Sequence, residues 1–338
     1  VMRIVSRGDT TVLDACLTPV AQDYMQRLTA RLPARMLEPG RLTFMQSNGG
    51  LIGARDFRGK DAVLSGPAGG VIAMVELGRQ AGYERLIGFD MGGTSTDVCH
   101  YRGELERQTE TTVAGYRLQT PMLAVHTVAA GGGSVLKFES ARYLVGPDSA
   151  GASPGPAAYG KGGPLTITDC HVLLGRLQPD FFPSVFGADG QQPIDTAQVR
   201  SAFGVLAGSM DISADDAPDA ALETVAEGFL AIAIGHMAHA IAHITTQKGH
   251  DVTDYALFSF GGAGGQHACR IADTLGISEI LLHRYAGVLS ALGMGLAELR
   301  EITTFSVEDG LSASALEVLE RRIALAQTRN EHVLKPQL

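Results

Sequence analysis

The sequence predicts an α/β fold. Apolar runs of strand length end in glycine clusters, and several of these clusters are followed by helix-like stretches. Leu86–Phe89 leads through a glycine turn to a second strand-like run, and Ala256–Phe260 runs into Gly261–Gly265 before a helix. Glycine accounts for 42 of 338 residues without a collagen-like period. It therefore marks places where the backbone turns sharply or approaches a ligand.

Helical patterns surround these strand-like runs. Thr18-Pro19 predicts a helix start, because proline suits a first helical turn, and Asp195 is a predicted N-cap. The strongest pattern, Ala220–Thr246, is apolar nearly all round, which predicts a buried helix. The predicted helices are Thr18–Arg31, Ile194–Leu206, Ala220–Thr246 and Glu317–Val333.

Composition and charge disfavour several classes of protein. Twenty-seven basic residues against 36 acidic ones give a net charge of -9, which disfavours a nucleic-acid surface. No uninterrupted apolar stretch approaches about 18 residues, so we expect no membrane span. The four cysteines form no CxxC pair, which disfavours a disulfide framework or structural zinc site and predicts a cytoplasmic protein.

The segment Gly88–Val98 carries the strongest chemical signal. A strand-like run delivers Asp90, two glycines follow, and the hydroxyls of Thr94–Thr96 lead to Asp97. Glycines let backbone N–H groups approach phosphate oxygens, hydroxyls add donors, and two carboxylates can hold Mg²⁺ or orient an attacking group. We interpret the phosphate contacts as Gly92, Gly93, Thr94, Ser95 and Thr96, and the catalytic and metal-holding residues as Asp90 and Asp97. The alternative is a tight hairpin turn whose hydroxyls only cap the backbone.

Two further segments are candidate sites. Phe258–Ala268 is a strand whose terminal glycines open a helix, and a helix N-terminus favours anions and polar ligand edges. Close strand–helix packing is the alternative. The run Gly131, Gly132, Gly133 and Ser134 is either an anion nest or a hairpin. His126 precedes it by five residues and is either a substrate or phosphate contact or a structural histidine.

Other motifs indicate chemistry more weakly. Gly155–Gly162 approaches a P-loop pattern, but no strand precedes it and glycine stands where Ser or Thr should bind Mg²⁺. Asp148 and Asp169 can each cap a turn, and Cys170 and Cys269 are more typical of small hydrophobes than of nucleophiles. Three histidines share one helix face without an Asp or Glu at metal-ligand spacing, namely His236, His239 and His243.

Taken in order, these motifs resemble the nucleotide site of the actin/Hsp70/sugar-kinase ATPase superfamily. More specifically, nearly the whole chain resembles the hydantoinase A/5-oxoprolinase family, and Phe182–Gly187 favours the 5-oxoprolinase branch. The segments that carry the resemblance are Ser65–Gly70, Gly88–Val98, His126–Ser134, Val145–Ala152, Pro154–Ala157, Thr166–Asp169, Leu174–Arg176, Gly261–His267 and Ala286–Gly295.

The resemblance implies an α/β, actin-like ATPase lobe of the ribonuclease H-like type, with a mixed sheet and flanking helices. It divides the chain into 1–85, the tail of a first lobe with a connecting segment, 86–310, the nucleotide-binding lobe, and 311–338, a helix that starts the next region. Family members carry an earlier GGT-type phosphate loop, and none precedes Asp90 here. We therefore expect a middle piece of a longer protein whose ATP site lies between two lobes.

The resemblance also implies a reaction. ATP, with Mg²⁺, phosphorylates the carbonyl oxygen of a lactam or imide, and water then opens the ring, as in 5-oxoproline to glutamate. It implies roles for Asp90, Asp97 and His126 in catalysis and for Gly131–Ser134 at the substrate. The implied nucleoside contacts are Gly261, Gly262, Ala263 and Gly264.

Two alternatives stay open, an ATP-using ketone carboxylase subunit of the same family and a nucleotide-binding module without ring-opening chemistry. The family resemblance further implies a hydantoinase B-type subunit or fused region as partner, and a homo- or hetero-oligomer.

Overall fold

The computed structural model describes residues 4–38, 40–113, 115–210, 212, 218–305, 307, 310 and 312–335. The chain forms two compact units. Unit 1 comprises Val1–Glu76, Leu105–Ala124 and Ser290–Leu338, and unit 2 comprises Leu77–Glu104 and Val125–Leu289. The lobe boundaries inferred from the family resemblance describe a different division and stay a prediction.

The described chain combines helices and strands, as the sequence predicts for the α/β class. The helices are α1 (Ile4–Thr29), α2 (Gly59–Ala62), α3 (Ser65–Gln80), α4 (Ile167–Leu173), α5 (Thr196–Ser209), α6 (Pro218–Thr246), α7 (Ala268–Leu275), α8 (Leu289–Leu296) and α9 (Ala313–Leu334). The strands are β1 (Thr43–Met45), β2 (Leu51–Gly53), β3 (Arg85–Met91), β4 (Thr96–Arg102), β5 (Arg107–Gln108), β6 (Thr111–Val113), β7 (Tyr116–Leu118), β8 (Met122–Leu123), β9 (His126–Val128), β10 (Ser134–Glu139), β11 (Arg142–Ser149), β12 (Ala256–Phe260) and β13 (Ile280–Leu282).

In unit 1, the predicted helix start at Thr18-Pro19 is wrong, because α1 begins at Ile4 and continues through Pro19. Proline removes an internal donor from the helix, and the preceding residue makes one hydrogen bond within α1 and one to α2. The Thr18 hydroxyl donates to Asp14 (3.0 Å) and accepts from the backbone N–H of Gly59 (2.9 Å) at the start of α2. The helix is therefore specified by contacts that its local sequence does not show.

Unit 1 also explains the glycines of the Ser65–Gly70 segment, which forms the first turns of α3. A Cβ on Gly293 of α8 would lie 1.7 Å from the Gly69 carbonyl oxygen, and a Cβ on Gly69 would lie 2.4 Å from the Ser290 carbonyl oxygen. These glycines allow the backbones of α3 and α8 to approach each other closely.

Unit 2 is built on a mixed sheet with strand order β13-β12-β3-β4-β9. β12 runs parallel to both β3 and β13, whereas β4 runs antiparallel to both β3 and β9. Side chains alternate between the two faces of a strand. Phe89 and its cross-strand partner Val98 are fully buried in the main core with α6, so Asp90 and its partner Asp97 point to the opposite face. The predicted hairpin and the α/β class with a mixed sheet and flanking helices are confirmed.

Helix α6 is buried on one side only. Phe229, Met237 and Ile241 are fully buried in the core, whereas its three histidines are exposed, which corrects the prediction of a helix buried all round. Among the described residues, Asp219–Thr246 alone is long and apolar enough to be a candidate membrane span, and 56% of that window is buried within the protein. A core helix passes the same test, so this is weak support for a span.

Candidate functional site

The predicted phosphate hairpin brings its two carboxylates together. Asp90 near the end of β3 lies directly opposite Asp97 in β4, and the backbone N–H of Gly92 donates to the Ser95 carbonyl (3.0 Å) to close the turn. The Thr127 hydroxyl of the adjacent strand β9 donates to Asp97 at 2.6 Å. The hairpin therefore presents a pair of acids beside a glycine turn on one face of the sheet.

The acid pair is electrostatically unfavourable without a cation. Burial, and then the nearby charge of Asp97, raise the pKa of Asp90 from its ordinary 3.8 to about 6. Two carboxylates with uncompensated charge form a donor set of the kind that Mg²⁺ prefers. The described residues contain no group of three or more His, Cys, Asp or Glu arranged to hold a metal. A magnesium ion here would thus take its remaining ligands from phosphate and water.

The turn itself leaves room for a ligand. A Cβ added at Gly93 would meet nothing within 4 Å, and one at Gly92 would meet only the Ser95 carbonyl oxygen at 3.9 Å. Gly93 and Thr94 are exposed and Ser95 is half-buried. Thr96 differs, because it is fully buried and its hydroxyl donates to the Ala130 carbonyl at 2.6 Å. This side chain anchors the base of the hairpin, and a phosphate contact of Thr96 stays a prediction.

The glycine run after β9 packs directly against the phosphate hairpin. Gly132 donates its backbone N–H to the Gly92 carbonyl (3.0 Å), and Gly133 donates to the Gly93 carbonyl (2.6 Å). Sequence reasoning missed a supporting residue, Thr168. Its backbone N–H and its hydroxyl both donate to the Gly132 carbonyl at 2.8 Å. These contacts fix the backbone conformation of the hairpin.

The same run is not an open anion nest. Gly131 donates its N–H to the Ser134 hydroxyl (2.9 Å), Ser134 donates to the Gly131 carbonyl (3.0 Å), and all four residues of 131–134 are buried. A Cβ at Gly131 would lie 2.7 Å from the Gly93 carbonyl, so only glycine fits. The backbone N–H groups of these four residues are used within the protein and support the hairpin, and substrate contacts of Gly131, Gly132, Gly133 and Ser134 stay a prediction.

The second predicted nucleotide loop also lies against Asp90. Gly261 has a φ of +82°, and a Cβ there would lie 2.5 Å from Oδ1 of Asp90 and 2.4 Å from the Met91 carbonyl oxygen. Ala263 donates its N–H to the same Met91 carbonyl at 2.9 Å. Gly262 is exposed with open space around it, whereas Gly264 is buried. The loop thus joins the end of β12 to the base of the phosphate hairpin.

His126 does not lie beside Asp90 and Asp97. It pairs with Val98, so its side chain points to the sheet face opposite Asp90 and Asp97. There it lines a cavity of about 510 Å³ with the three exposed histidines of α6, and its ring lies 6.2 Å from that of His243. The sheet therefore separates His126 from Asp90 and Asp97, and a catalytic or substrate-contacting role for His126 stays a prediction.

The remaining singled-out residues are structural. The carboxylate of Asp169 is buried and accepts from the N–H groups of Ala157, Ala158 and Thr166 at 2.7–3.2 Å, which folds the glycine-rich segment around it. Asp148 is exposed and pairs with Lys137 at 2.7 Å. Burial raises the pKa of the Cys170 thiol well above its usual range, which disfavours a thiolate nucleophile. Cys16, Cys99, Cys170 and Cys269 are free thiols.

A mixed sheet with an acidic glycine hairpin, supported by two further glycine loops, defines an actin-like ATPase lobe. The sequence profile of the Hydantoinase/oxoprolinase family matches residues 7–303, and the chain belongs to this family. The predicted resemblance is confirmed.

Named relatives agree with this assignment. The chain is 49% identical over 305 residues to 5-oxoprolinase 1 of Arabidopsis thaliana, covering 89% of this chain and 24% of the relative. It is 46% identical to 5-oxoprolinase of Saccharomyces cerevisiae, covering 89% of this chain and 23% of the relative. The chain thus spans about a quarter of the length of these relatives.

Two solved structures share the fold. The structure of ATP-dependent caprolactamase from Pseudomonas jessenii superposes with a TM-score of 0.78 at 30% identity, covering 99% of this chain and 48% of that one. Nucleotide-free acetone carboxylase superposes with a TM-score of 0.68 at 26% identity, covering 87% of this chain and 42% of that one.

Proposed function

We propose that this chain supplies a nucleotide-binding lobe of an ATP-dependent cyclic amide hydrolase of the 5-oxoprolinase type. Relatives named 5-oxoprolinase, at 46–49% identity, support the reaction class. The proposed substrate class is a lactam or imide, with 5-oxoproline as the first candidate.

The observation that carries the proposal is the convergence of three glycine segments around Asp90. The hairpin turn leaves open space at Gly93, the run at 131–133 fixes its backbone, and Gly261 passes within contact distance of the Asp90 carboxylate. Open glycine backbone beside paired acids suits a phosphate chain with its cation.

The chain's own residues have distinct roles in this proposal. Backbone N–H groups at Gly93 and Thr94 and the Ser95 hydroxyl donate to phosphate oxygens, and Gly262 contacts the nucleoside. Asp90 and Asp97 hold Mg²⁺, which supplies charge stabilisation for the transferring phosphoryl group when bound. Thr127 orients the Asp97 carboxylate through its 2.6 Å hydrogen bond.

The chemistry requires activation because an amide carbonyl is a poor electrophile. Transfer of the γ-phosphoryl group from ATP to the amide oxygen releases ADP and activates the carbonyl carbon. Attack of one water on that carbon breaks the ring C–N bond, with the nitrogen leaving as the amine, and gives an acyl phosphate. A second water hydrolyses the acyl phosphate to the carboxylate and phosphate. With 5-oxoproline the products are glutamate, ADP and phosphate. In this scheme the lobe positions the phosphates of ATP and stabilises the charge on the transferring phosphoryl group.

A second candidate is an ATP-using ketone carboxylase subunit, favoured by the fold shared with acetone carboxylase at a TM-score of 0.68. The 46–49% identity to 5-oxoprolinases favours the hydrolase. A nucleotide-binding module without ring-opening chemistry is the third candidate.

One assay separates these candidates. Phosphate release from ATP is measured in the intact protein alone, with 5-oxoproline, with hydantoin, and with acetone plus bicarbonate. Stimulation by a cyclic amide together with ring-opened product supports the proposal. Stimulation by the ketone alone supports the carboxylase, and ATP binding that no substrate changes supports the module.

Partner and location follow the same reasoning. One relative, at 33% identity, is named caprolactamase subunit alpha, which indicates a multi-subunit arrangement in that protein. We propose a hydantoinase B-type subunit or fused region as the partner of this chain, in a homo- or hetero-oligomer. We also propose a cytoplasmic location. Co-purification with the hydantoinase B-type component tests the proposed partner. Cell fractionation tests the proposed cytoplasmic location.

A further inference from the structure

A buried pair of histidines lies beside the two nucleotide segments and has no place in the function proposed so far. His171 in α4 and His267 at the start of α7 face each other with their Nε2 atoms 3.1 Å apart, and each side chain is about 1% exposed. Their rings meet edge to face, with centroids 4.6 Å apart. The pair is therefore a direct hydrogen bond inside the core of unit 2.

The pair is electrically neutral. One Nε2 must donate and the other accept, which requires opposite tautomers. Burial, with the positive charges of Arg176 and Arg270 nearby, lowers the pKa of His171 to about 3 and that of His267 to about 4. Neither ring carries a charge near neutral pH. The pair therefore serves geometry rather than proton transfer.

The histidine pair costs folding free energy, which indicates that it is kept for the positions that it gives to the two side chains. Both Nδ1 atoms are buried, and neither has a hydrogen-bond partner among the described residues. Because the tautomers are opposite, one of these atoms is an N–H donor without an acceptor, and such a group costs about 1–3 kcal/mol. An apolar pair of similar size would avoid that cost.

Each histidine is attached to a different side of the candidate nucleotide site. The His267 N–H donates to the Gly264 carbonyl (3.1 Å), so this residue closes the 261–264 loop. His171 lies one turn after Thr168, which donates twice to the Gly132 carbonyl, and Gly132 in turn donates to Gly92. A rigid path thus runs from the 261–264 loop through the histidine pair to the phosphate hairpin.

We propose that the His171–His267 hydrogen bond is a positioning element that fixes the 261–264 loop relative to the Gly92–Ser95 turn, so that the nucleoside and the phosphates of one ATP bind together. This inference rests on the proposed function. It assigns both histidines as positioning residues, without contact to the reacting atoms. The chemical step is therefore unaffected once ATP is in place.

The test compares variants of His171 in the intact protein. His171→Leu keeps the bulk and removes the hydrogen bond, whereas His171→Gln places an amide nitrogen close to the position of Nε2. Cys170→Ala is the matched control, since Cys170 is equally buried in the same helix and its loss lowers stability by removing packing alone. Steady-state kcat and KM for ATP and the dissociation constant for ATP are measured, with thermal unfolding as a check.

The expected result is a rise of about ten-fold in KM and in the dissociation constant for ATP in His171→Leu, with kcat changed by less than about three-fold. His171→Gln restores both constants to within about three-fold of the parent, and Cys170→Ala changes neither. A purely structural role predicts instead that His171→Leu and Cys170→Ala lower stability and active fraction alike, with KM unchanged.

Several outcomes overturn the inference. An unchanged KM for ATP in a folded His171→Leu protein contradicts the positioning role. A His171→Gln protein whose KM and dissociation constant for ATP equal those of the His171→Leu protein contradicts it as well. Where His171→Leu does not fold, His171→Asn repeats the comparison with a shorter amide that does not reach His267. A parent protein that binds no ATP overturns the proposed function and this inference together, whereas a parent that binds ATP leaves only the inference at stake.

Discussion

Asp90 and Asp97 lie directly opposite each other in an antiparallel hairpin, and their mutual repulsion adds to burial in raising the pKa of Asp90 to about 6. Like charges placed opposite each other destabilise a hairpin. A bound cation relieves this repulsion and can in turn hold phosphates. The pair is therefore better explained as a ligand site than as a stabilising feature of the sheet.

The first prediction concerns the pH dependence of ATP turnover. A role for Asp90 as a carboxylate predicts activity that is present above pH 6 and lost as the pH falls through about 6. Asp97→Asn removes the like charge, so the acid limb of kcat/KM for ATP moves to lower pH even though overall activity falls. An acid limb that stays in place in Asp97→Asn contradicts the coupling.

The second prediction concerns stability and needs no assay of function. Asp90 has a higher pKa folded than its ordinary 3.8, so its charge costs stability that grows from pH 3.8 to about 6 and is constant above. Asp90→Asn removes this cost, and we expect a gain of about 1–2 kcal/mol at pH 7.5 after solvent screening of the half-buried site. Urea unfolding at pH 7.5 and pH 4 measures it. The gain should vanish at pH 4, and an equal effect at both values contradicts the electrostatic origin.

The third prediction tests whether the open space at the hairpin turn is ligand space. Gly93 has nothing within 4 Å of an added Cβ, and Gly265 is equally free. Both substitutions to Ala should therefore leave the free energy of unfolding within about 0.5 kcal/mol of the parent. Gly93→Ala should weaken ATP binding by about ten-fold, because the methyl group blocks the phosphates, and Gly265→Ala should not. Calorimetric titration with Mg·ATP measures the dissociation constant of each variant. Equal dissociation constants for Gly93→Ala and Gly265→Ala would refute the assignment of the Gly93 turn to phosphate.

The fourth prediction concerns the support of the hairpin. A Cβ at Gly131 would lie 2.7 Å from backbone atoms of Gly93 and Thr94, so Gly131→Ala must displace backbone. We expect a loss of about 1–3 kcal/mol in stability, together with weaker ATP binding. Hydrogen exchange should show greater exposure of the amides at 92–95 in the variant, and unchanged protection there would contradict the supporting role.

The fifth prediction concerns Thr127. Its hydroxyl donates to Asp97 at 2.6 Å, and Thr127→Val removes that donor while keeping the shape. We expect kcat/KM for ATP to fall about five- to ten-fold, corresponding to about 1 kcal/mol for one hydrogen bond. Thr127→Ser keeps the hydroxyl and should remain within about three-fold of the parent. Equal losses in both variants would show that packing rather than the hydrogen bond matters.

Local signals in the sequence were sufficient for the strands and for the acidic hairpin. Ala256–Phe260 has the predicted bounds, and Asp195 caps α5 by accepting from the Gln198 N–H at 2.8 Å, as predicted. These elements depend on apolar runs, glycine turns and a cap, which are local. The N-terminal half of α1 contacts a segment distant in sequence, since Asp9 and Thr10 accept from the N–H groups of Arg117 and Gln119, and no local pattern records these contacts.

In the candidate site, too, local patterns predict local features, but they do not predict contacts between residues distant in sequence. The pairing of Asp90 with Asp97 follows from hairpin register, so spacing alone placed them together. The position of His126 depends on the register of β9, because a shift of one residue exchanges the two faces of a strand. Thr127, adjacent in sequence, is the β9 residue whose hydroxyl donates to Asp97. The His171–His267 contact joins residues 96 positions apart, and no spacing rule predicts it.

The central claim is that the hairpin at Gly92–Ser95 and Asp90 form the phosphate and Mg²⁺ side of an ATP site. The most direct test is a structure of the intact protein with Mg²⁺ and a non-hydrolysable ATP analogue. The account predicts phosphate oxygens within hydrogen-bond distance of the backbone N–H groups at 93–95, Mg²⁺ held through the Asp90–Asp97 pair, and the nucleoside against Gly262. A nucleotide bound with its phosphates away from this hairpin would contradict the account.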